Sequence, residues 1–526
     1  MTLATGELLQ CTCPGNGATL GEVRLFTKSD VDRSIEAAAK AQVEWKKTSF
    51  IERKEFLETL KAEILKNQDK YAEIACKDTG KTLVDAAFGE ILVTLQKIDW
   101  TLEHGEDSLQ TTRRPESLLT SYKRGYVLYE PLGVVAALVS WNYPLHNALG
   151  PIISALFAGN SIIVKGSELT AWSTIQFCNK VCDILESLGH SRELVQCITC
   201  LPDVAEHLTG HPGLKHITFI GSQSVAKLVA ASAARQLTPL CLELGGKDPV
   251  ILLDDSRLQE VMSVVMRGIF QSAGQNCIGI ERVIALAPIY DTVITLLYDR
   301  ICNFRLGMYT QRDVDMGAMV SDNRFDTLEA LIQDAVQHGA RLVHGGHRYK
   351  HPKYPKGSYF MPTLLVDVTN EMKIAREECF APIALVFRAD DVDHALSIAN
   401  GTDFGLGASV FGKDKAVCDY IVERIESGMV SVNDFGATYL MQLPFGGCKK
   451  SGYGRFAGRE GLQGICNTKA VVYDKFSFIH TTIPRPVDYP IPDSQKAWGF
   501  VKGLIGVMYG NFLGLAGNLY RMLRNK

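Results

Sequence analysis

Cys277 sits in Phe270-Gln-Ser-Ala-Gly-Gln-Asn-Cys277-Ile-Gly, a small, polar, glycine-containing segment that follows a helical run. A catalytic thiol needs access and a backbone that substrate can approach closely, and Gly274 permits that approach. An inert buried thiol is the competing reading, and the commoner fate of free cysteine. Glu243 stands between leucines in Leu242-Glu243-Leu244-Gly245-Gly246-Lys247. A carboxylate there is either paired with a nearby cation or desolvated into the general-base range. Asn142, in Val139-Ser-Trp141-Asn142-Tyr-Pro144, follows a short apolar run that reads as a strand. Catalytic groups collect at the carboxyl ends of strands in open α/β sheets, where a side-chain amide can donate to an oxyanion. A turn asparagine is the alternative.

Two further strand ends have nucleotide-site chemistry. Lys165 and Glu168, in Ile162-Ile-Val-Lys165-Gly-Ser-Glu168, offer a clasp for ribose hydroxyls, or an ordinary solvated loop. Gly221 and Ser222, in Phe219-Ile-Gly221-Ser222-Gln-Ser224, run into a helix start. Free N–H groups and hydroxyls at such a start suit a pyrophosphate, although the GxGxxG fingerprint is absent.

The elements that would position these residues are legible in the hydrophobic periodicity. Residues Asp30–Asn67 read as two helices, with Ser29 and Asp30 as the start signal. From about Val127, short apolar runs alternate with helical stretches: Val134–Val139 then Leu149–Phe157, Ser161–Val164 then Ala171–Leu188, His216–Phe219 then Ser224–Ala234. A second series follows Leu240. Such alternation predicts parallel sheets with crossover helices. Tyr122–Tyr129 and Lys469–Tyr473 stand apart as orphan strands, and free strand edges commonly pair with another subunit.

The order and spacing of these motifs resemble the aldehyde dehydrogenase superfamily over about residues 20–475. Arg376-Glu-Glu378-Cys-Phe380-Ala-Pro382, Asn400-Gly-Thr-Asp-Phe-Gly405-Leu, Gly428-Met-Val-Ser-Val-Asn433 and Pro444-Phe-Gly-Gly-Cys-Lys-Lys-Ser-Gly452-Tyr-Gly-Arg455 are similar to further family motifs. The resemblance implies an α/β fold with a Rossmann-like cofactor domain (residues 1–110 and 131–242) and an α/β catalytic domain (243–444). It adds a small β oligomerisation arm (111–130 and 455–476) and a homodimer or homotetramer. It implies oxidation of an aldehyde to a carboxylic acid, with Cys277 as nucleophile. Asn142 would be the oxyanion donor and Glu243 the base that activates water against the thioester. Trp141, Lys165, Glu168, Gly221, Ser222, Glu378 and Phe380 would hold the cofactor: Lys165 and Glu168 at the adenosine ribose, Gly221 and Ser222 beside the pyrophosphate, Glu378 at the nicotinamide ribose, Phe380 near the ring. Glu168 favours NAD over NADP, because a carboxylate accepts from a 2′-hydroxyl and repels a 2′-phosphate. Glu243 favours water over coenzyme A as acceptor. A catalytically idle, membrane-tethered scaffold of the same fold is the alternative function. Three departures from the family pattern stand out: Ala226 for a glycine, Lys165-Gly-Ser-Glu for Lys-Pro-x-Glu, and Phe456 for the Glu after Arg455.

Residues 477–526 extend beyond the resemblance as a Pro-rich linker and a hydrophobic tail. Residues 503–520 carry no charge, and as one helix their glycines at 503, 506, 510, 514 and 517 would line a single face. Basic residues flank the run and no acidic residue follows Asp493. Membrane association through residues 498–526, spanning or interfacial, is therefore expected, on the cytoplasmic face of a membrane such as the endoplasmic reticulum, with long-chain membrane-derived aldehydes as substrates; packing onto the enzyme's own surface or a dimer partner, or a disordered tail, is the competing reading.

Composition sets the outer bounds. With 46% hydrophobic and 21% charged residues the chain is of ordinary globular type, which excludes global disorder. A net charge of −3 gives no basic field for nucleic acid. The 14 cysteines are scattered, as in an intracellular, reducing compartment. Cys197 and Cys200 form a lone CxxC without further ligands, so no metal site is expected. The N-terminus has no basic and apolar signal-peptide pattern.

Overall fold

The computed structural model describes residues 8–254, 257–435 and 440–525. Two units are distinguished, one of residues 1–109 and 131–466, the other of residues 110–130 and 467–526.

Besides two small two-stranded sheets, the larger unit carries two large ones. One has six strands in the spatial order Gly452–Tyr453, Leu240–Glu243, Leu214–Ile220, Val134–Leu138, Ser161–Lys165, Val195–Ile198. All neighbours are parallel except Gly452–Tyr453, which runs antiparallel against Leu240–Glu243. The other has seven strands ordered Arg341–His344, Thr363–Val366, Ile383–Ala389, Ile280–Leu286, Asp248–Leu252, Gly407–Phe411, Met429–Val432. Only its Arg341–His344 edge is antiparallel. Central strands such as Val134–Leu138 and Asp248–Leu252 are buried on both faces, which is why they read as unbroken apolar runs rather than alternating ones.

The first two helices form at Lys28–Trp45 and Phe50–Lys66. The cap of the first is Thr27 rather than Ser29 or Asp30. Its hydroxyl accepts from the Asp30 N–H while the Asp30 carboxylate accepts from the Thr27 N–H, a reciprocal capping box. The helix after Val134–Leu138 starts at Pro144, where a missing N–H costs nothing, and runs to Phe157.

The smaller unit contains a three-stranded sheet ordered Cys466–Asp474, Lys123–Pro131, Thr112–Arg114. Its C-terminal part corrects the expectation of one continuous helix over 503–520. A helix Ser494–Tyr509 ends at Gly510, Asn511 accepts from the Gly514 N–H at 3.1 Å, and a second helix spans Leu515–Arg524. The chain folds back on itself as a hairpin. A Cβ on Gly503 would lie 2.6 Å from the Met522 nitrogen, and one on Gly506 2.2 Å from the Asn518 Cγ. Those two glycines mark the close helix contact. Gly510 and Gly514 belong to the turn, and Gly517 faces open space. Among the described residues no helix is long and apolar enough to cross a membrane.

Candidate active site

The parallel strands of the six-stranded sheet deliver their carboxyl ends to one side, and the expected residues follow those ends. Trp141 and Asn142 come after Val134–Leu138, Lys165 closes Ser161–Lys165, Gly221 and Ser222 follow Leu214–Ile220, and Glu243 closes Leu240–Glu243. This is where an open α/β sheet leaves a crevice.

Cys277 and Glu243 both line a cavity of about 270 Å³. The thiol and the Glu243 carboxylate interact electrostatically, and the closest polar contact of the Cys277 Sγ is Asn276 Oδ1 at 4.0 Å. Burial raises Glu243 from the usual 4.5 to about 7, against a smaller lowering by the thiol hydrogen bond. Burial, reinforced by the negative charge of Glu243, pushes the Cys277 thiol well above its ordinary value. The resting thiol is thus neutral, beside a carboxylate that itself gains and loses its proton near neutrality. Glu243 Oε1 is buried and has no hydrogen-bond partner.

The backbone before Cys277 is unusual. Ser272, Ala273 and Gly274 all have positive φ, at 53°, 55° and 72°. A Cβ on Gly274 would lie 2.2 Å from the Ala381 carbonyl oxygen, so only glycine passes here.

Asn142 is buried, and its amide orientation is fixed. Its Oδ1 accepts from the Ser140 hydroxyl at 2.7 Å and from Asn147 Nδ2 at 3.2 Å. Its Nδ2 donates to the Gln275 carbonyl at 3.1 Å, two residues before Cys277. The donor end therefore faces the thiol-bearing loop. The Asn142 carbonyl in turn accepts from the buried Lys81 ammonium at 2.7 Å. Glu90 accepts from Lys81 at 2.8 Å and from the Leu145 and His146 N–H groups at 3.0 and 3.1 Å.

Glu378 and Phe380 are held by a second buried pair. The Lys247 ammonium meets the Glu281 carboxylate, which also accepts from the Cys379 and Phe380 N–H groups, each at 2.9 Å. Glu378 Oε1 accepts from the Gly246 N–H at 3.0 Å, and burial followed by the charge of Glu281 raises Glu378 to about 8. The Phe380 ring meets Trp141 edge-on, centroids 5.4 Å apart. Lys165 Nζ bonds Glu168 Oε1 at 2.7 Å. Ser222 precedes the helix Gln223–Ala234 without capping it, its hydroxyl engaging Ser224 at 3.1 Å. The helix thus begins with no side-chain cap on its N–H groups, and the Lys165–Glu168 carboxylate lies beyond the end of the strand two places away in the sheet. That donor set fits a dinucleotide, with anion-binding N–H groups for the pyrophosphate and carboxylates for ribose hydroxyls.

Sequence reasoning did not single out Lys81, Glu90 or Glu281. A signal was present for the last: Glu281-Arg282 interrupts the apolar strand Ile280–Leu286, and buried charges require partners. Arg282 finds its own in the carbonyls of Lys247, Ile398 and Ala399.

A thiol beside a buried carboxylate, an oriented amide, and strand ends that fit a dinucleotide make up the candidate site of this α/β fold. Comparison with known proteins agrees. Residues 2–471 match the model of the aldehyde dehydrogenase family. A Schizosaccharomyces pombe protein described as aldehyde dehydrogenase-like is 75% identical, covering 98% of this chain and 99% of its own length. A solved aldehyde dehydrogenase structure from Burkholderia cenocepacia superposes with TM-score 0.85 at 27% identity, over 91% of this chain and 96% of that one. The structure of PnpE in complex with nicotinamide adenine dinucleotide gives 0.84 at 26% identity, over 90% and 96%. The chain belongs to the aldehyde dehydrogenase family. It is an enzyme of the NAD(P)-dependent kind that acts on aldehydes.

Proposed function

We propose that the enzyme oxidises an aldehyde to its carboxylic acid with NAD as the preferred acceptor. The observation that carries this reading is the Cys277 thiol set against the Glu243 carboxylate in one cavity wall. Glu243 accepts the thiol proton, and the thiolate adds to the aldehyde carbon. The Asn142 amide and the Cys277 N–H hold the resulting oxyanion. Nicotinamide, when bound, supplies the hydride acceptor; Trp141, Phe380 and Glu378 would hold its ring and ribose. Once Glu243 has released that first proton to solvent, it deprotonates the water that hydrolyses the thioester left on Cys277. Glu168 beside Lys165 supports NAD over NADP, and comparable kcat/KM for the two would contradict that. Absence of NADH formation in Cys277→Ala, with a folded variant, is the expected control. An active Cys277→Ala enzyme would sink the mechanism. The exposed Val472 and Tyr473 on the edge strand Cys466–Asp474 support a homodimer or homotetramer, read by light scattering.

The C-terminal hairpin supports attachment to an anionic membrane surface, lying on it rather than crossing it. Phe512 and Leu513 at its turn are 88% and 92% exposed, with Tyr509, Tyr520 and Leu523 exposed nearby. Lys496, Lys502, Arg521 and Arg524 complement a negative surface, and no acidic residue follows Asp493. Full-length protein should float with anionic vesicles and stay behind with zwitterionic ones. Protein that floats with neither would refute this attachment.

A further inference from the structure

We infer that the site takes an uncharged, apolar aldehyde, and that Phe456 sets this preference by screening a buried cation from the substrate. The inference rests on the aldehyde-oxidising reading above and names its substrate class.

The cavity wall around Cys277 is largely aliphatic and aromatic, with Val93, Met429, Phe435, Met441, Phe445 and Phe456 among its members. Among the described residues no lysine or arginine lines it. His146 does, but burial, helped by the charge of Lys97, holds it down to about 3 and therefore neutral. Among the described residues Glu243 is the one carboxylate in that wall, and it faces the thiol. An aldehyde with a distal carboxylate would lose its hydration and gain no counter-charge. A quaternary ammonium would have only the reacting carboxylate to answer it.

A cation nevertheless lies behind this wall. Val93 and Lys97 are four residues apart on the helix Val93–Leu109 and so share a face. Val93 reaches the cavity, while the buried Lys97 side chain stops at Phe456. Its ammonium lies 4.7 Å from the Phe456 ring centroid and donates to the Phe456 carbonyl at 3.3 Å. Among the described residues it has no carboxylate partner. Burial lowers Lys97 to about 8, which leaves it mostly protonated at neutral pH. The Phe456 ring stands edge-on to His146, centroids 6.5 Å apart, and a Cβ on Gly150 would come within 2.9 Å of its Cζ. The ring is thus seated as a partition with substrate space on one side and an unpaired ammonium on the other. Cation–π attraction and one carbonyl compensate Lys97 in place of a carboxylate.

The test compares kcat/KM for hexanal and for succinate semialdehyde in the full-length enzyme, with propanal as a baseline for the chemistry. The intact enzyme should prefer hexanal by about 100-fold or more, the scale expected for desolvating an unpaired charge. Phe456→Ala should narrow that ratio by about 10-fold through a gain on the semialdehyde, since the ammonium is then open to its carboxylate. Phe456→Leu, which keeps a plug, should retain the preference. Adding Lys97→Met to Phe456→Ala should remove the gain. Equal kcat/KM for both aldehydes in the intact enzyme would overturn the inference, as would an equal loss on both in Phe456→Ala. Silence with every aldehyde, propanal included, would instead refute the enzymatic reading. Binding of hexanamide against succinamate by calorimetry then scores the pocket without turnover: tighter hexanamide supports the inference, and equal or tighter succinamate overturns it.

Discussion

Lys81 and Glu90 form a buried ion pair whose cation also donates to the Asn142 carbonyl at 2.7 Å and whose anion collects the Leu145 and His146 N–H groups. The pair ties the loop that carries Asn142, the proposed oxyanion donor, to the start of the helix Pro144–Phe157. It touches no reacting atom and acts by positioning. Glu90→Gln leaves an uncompensated buried ammonium and should cost about 3–5 kcal/mol in urea unfolding. It should lower kcat more than it raises KM. Lys81→Met combined with Glu90→Gln should recover much of the stability but not kcat. Full kcat in the double variant would show that Asn142 needs no such support.

Activity should rise as pH increases through about 7, where Glu243 ionises and can accept the thiol proton. Stability should move the other way. The fold holds a proton on Glu243 that the unfolded chain has already released above the usual 4.5. The resulting contribution is fully present below that value and is lost as pH rises to about 7 and beyond. Glu243→Gln removes the loss, so it should be more stable than the native enzyme by about 3 kcal/mol at pH 8, with no gain near pH 4.5. Denaturant titrations at the two pH values measure the difference. Glu378, raised to about 8, adds a dependence of the same sign to both proteins and cancels in the comparison.

Gly245 has a φ of +78°, and a Cβ there would fall 2.2 Å from Glu378 Oε1. Gly245→Ala should therefore destabilise by about 1–3 kcal/mol and displace the Glu378 carboxylate. Weaker NAD binding by fluorescence titration, together with a lower Tm, is the expected result. Unchanged NAD affinity would separate Glu378 from the cofactor.

Phe512→Ser with Leu513→Ser should reduce vesicle binding about 10-fold while leaving NADH formation intact, because only exposed apolar area is removed. Added salt should weaken what binding remains, through Lys502 and Arg521.

The sheets were legible because strands buried on both faces leave apolar runs, and those runs end at Asn142, Lys165, Ser222 and Glu243. The proximity of Cys277 to Glu243 followed from motif order rather than periodicity. What could not be read were partnerships across sequence. Lys81 and Glu90 are nine residues apart, with Glu90 inside the π-helical segment Ala87–Leu92, and Lys247 and Glu281 are joined only by the fold. Neither has a local pattern. The tail was misread for a different reason. Hydropathy over 503–520 is continuous, whereas the break at Gly510-Asn511 is a matter of backbone capping. The first helix cap was a local signal that was passed over, since Thr27 and Asp30 already have capping-box spacing.

The neutral resting state of Cys277 has a consequence for the enzyme between turnovers. Peroxide and electrophiles consume thiolates, not thiols. With both burial and Glu243 keeping the proton on sulfur, slow alkylation of Cys277 by iodoacetamide is the expected behaviour of the idle enzyme. The contact that in the proposed mechanism readies the nucleophile for substrate would then preserve it in substrate's absence.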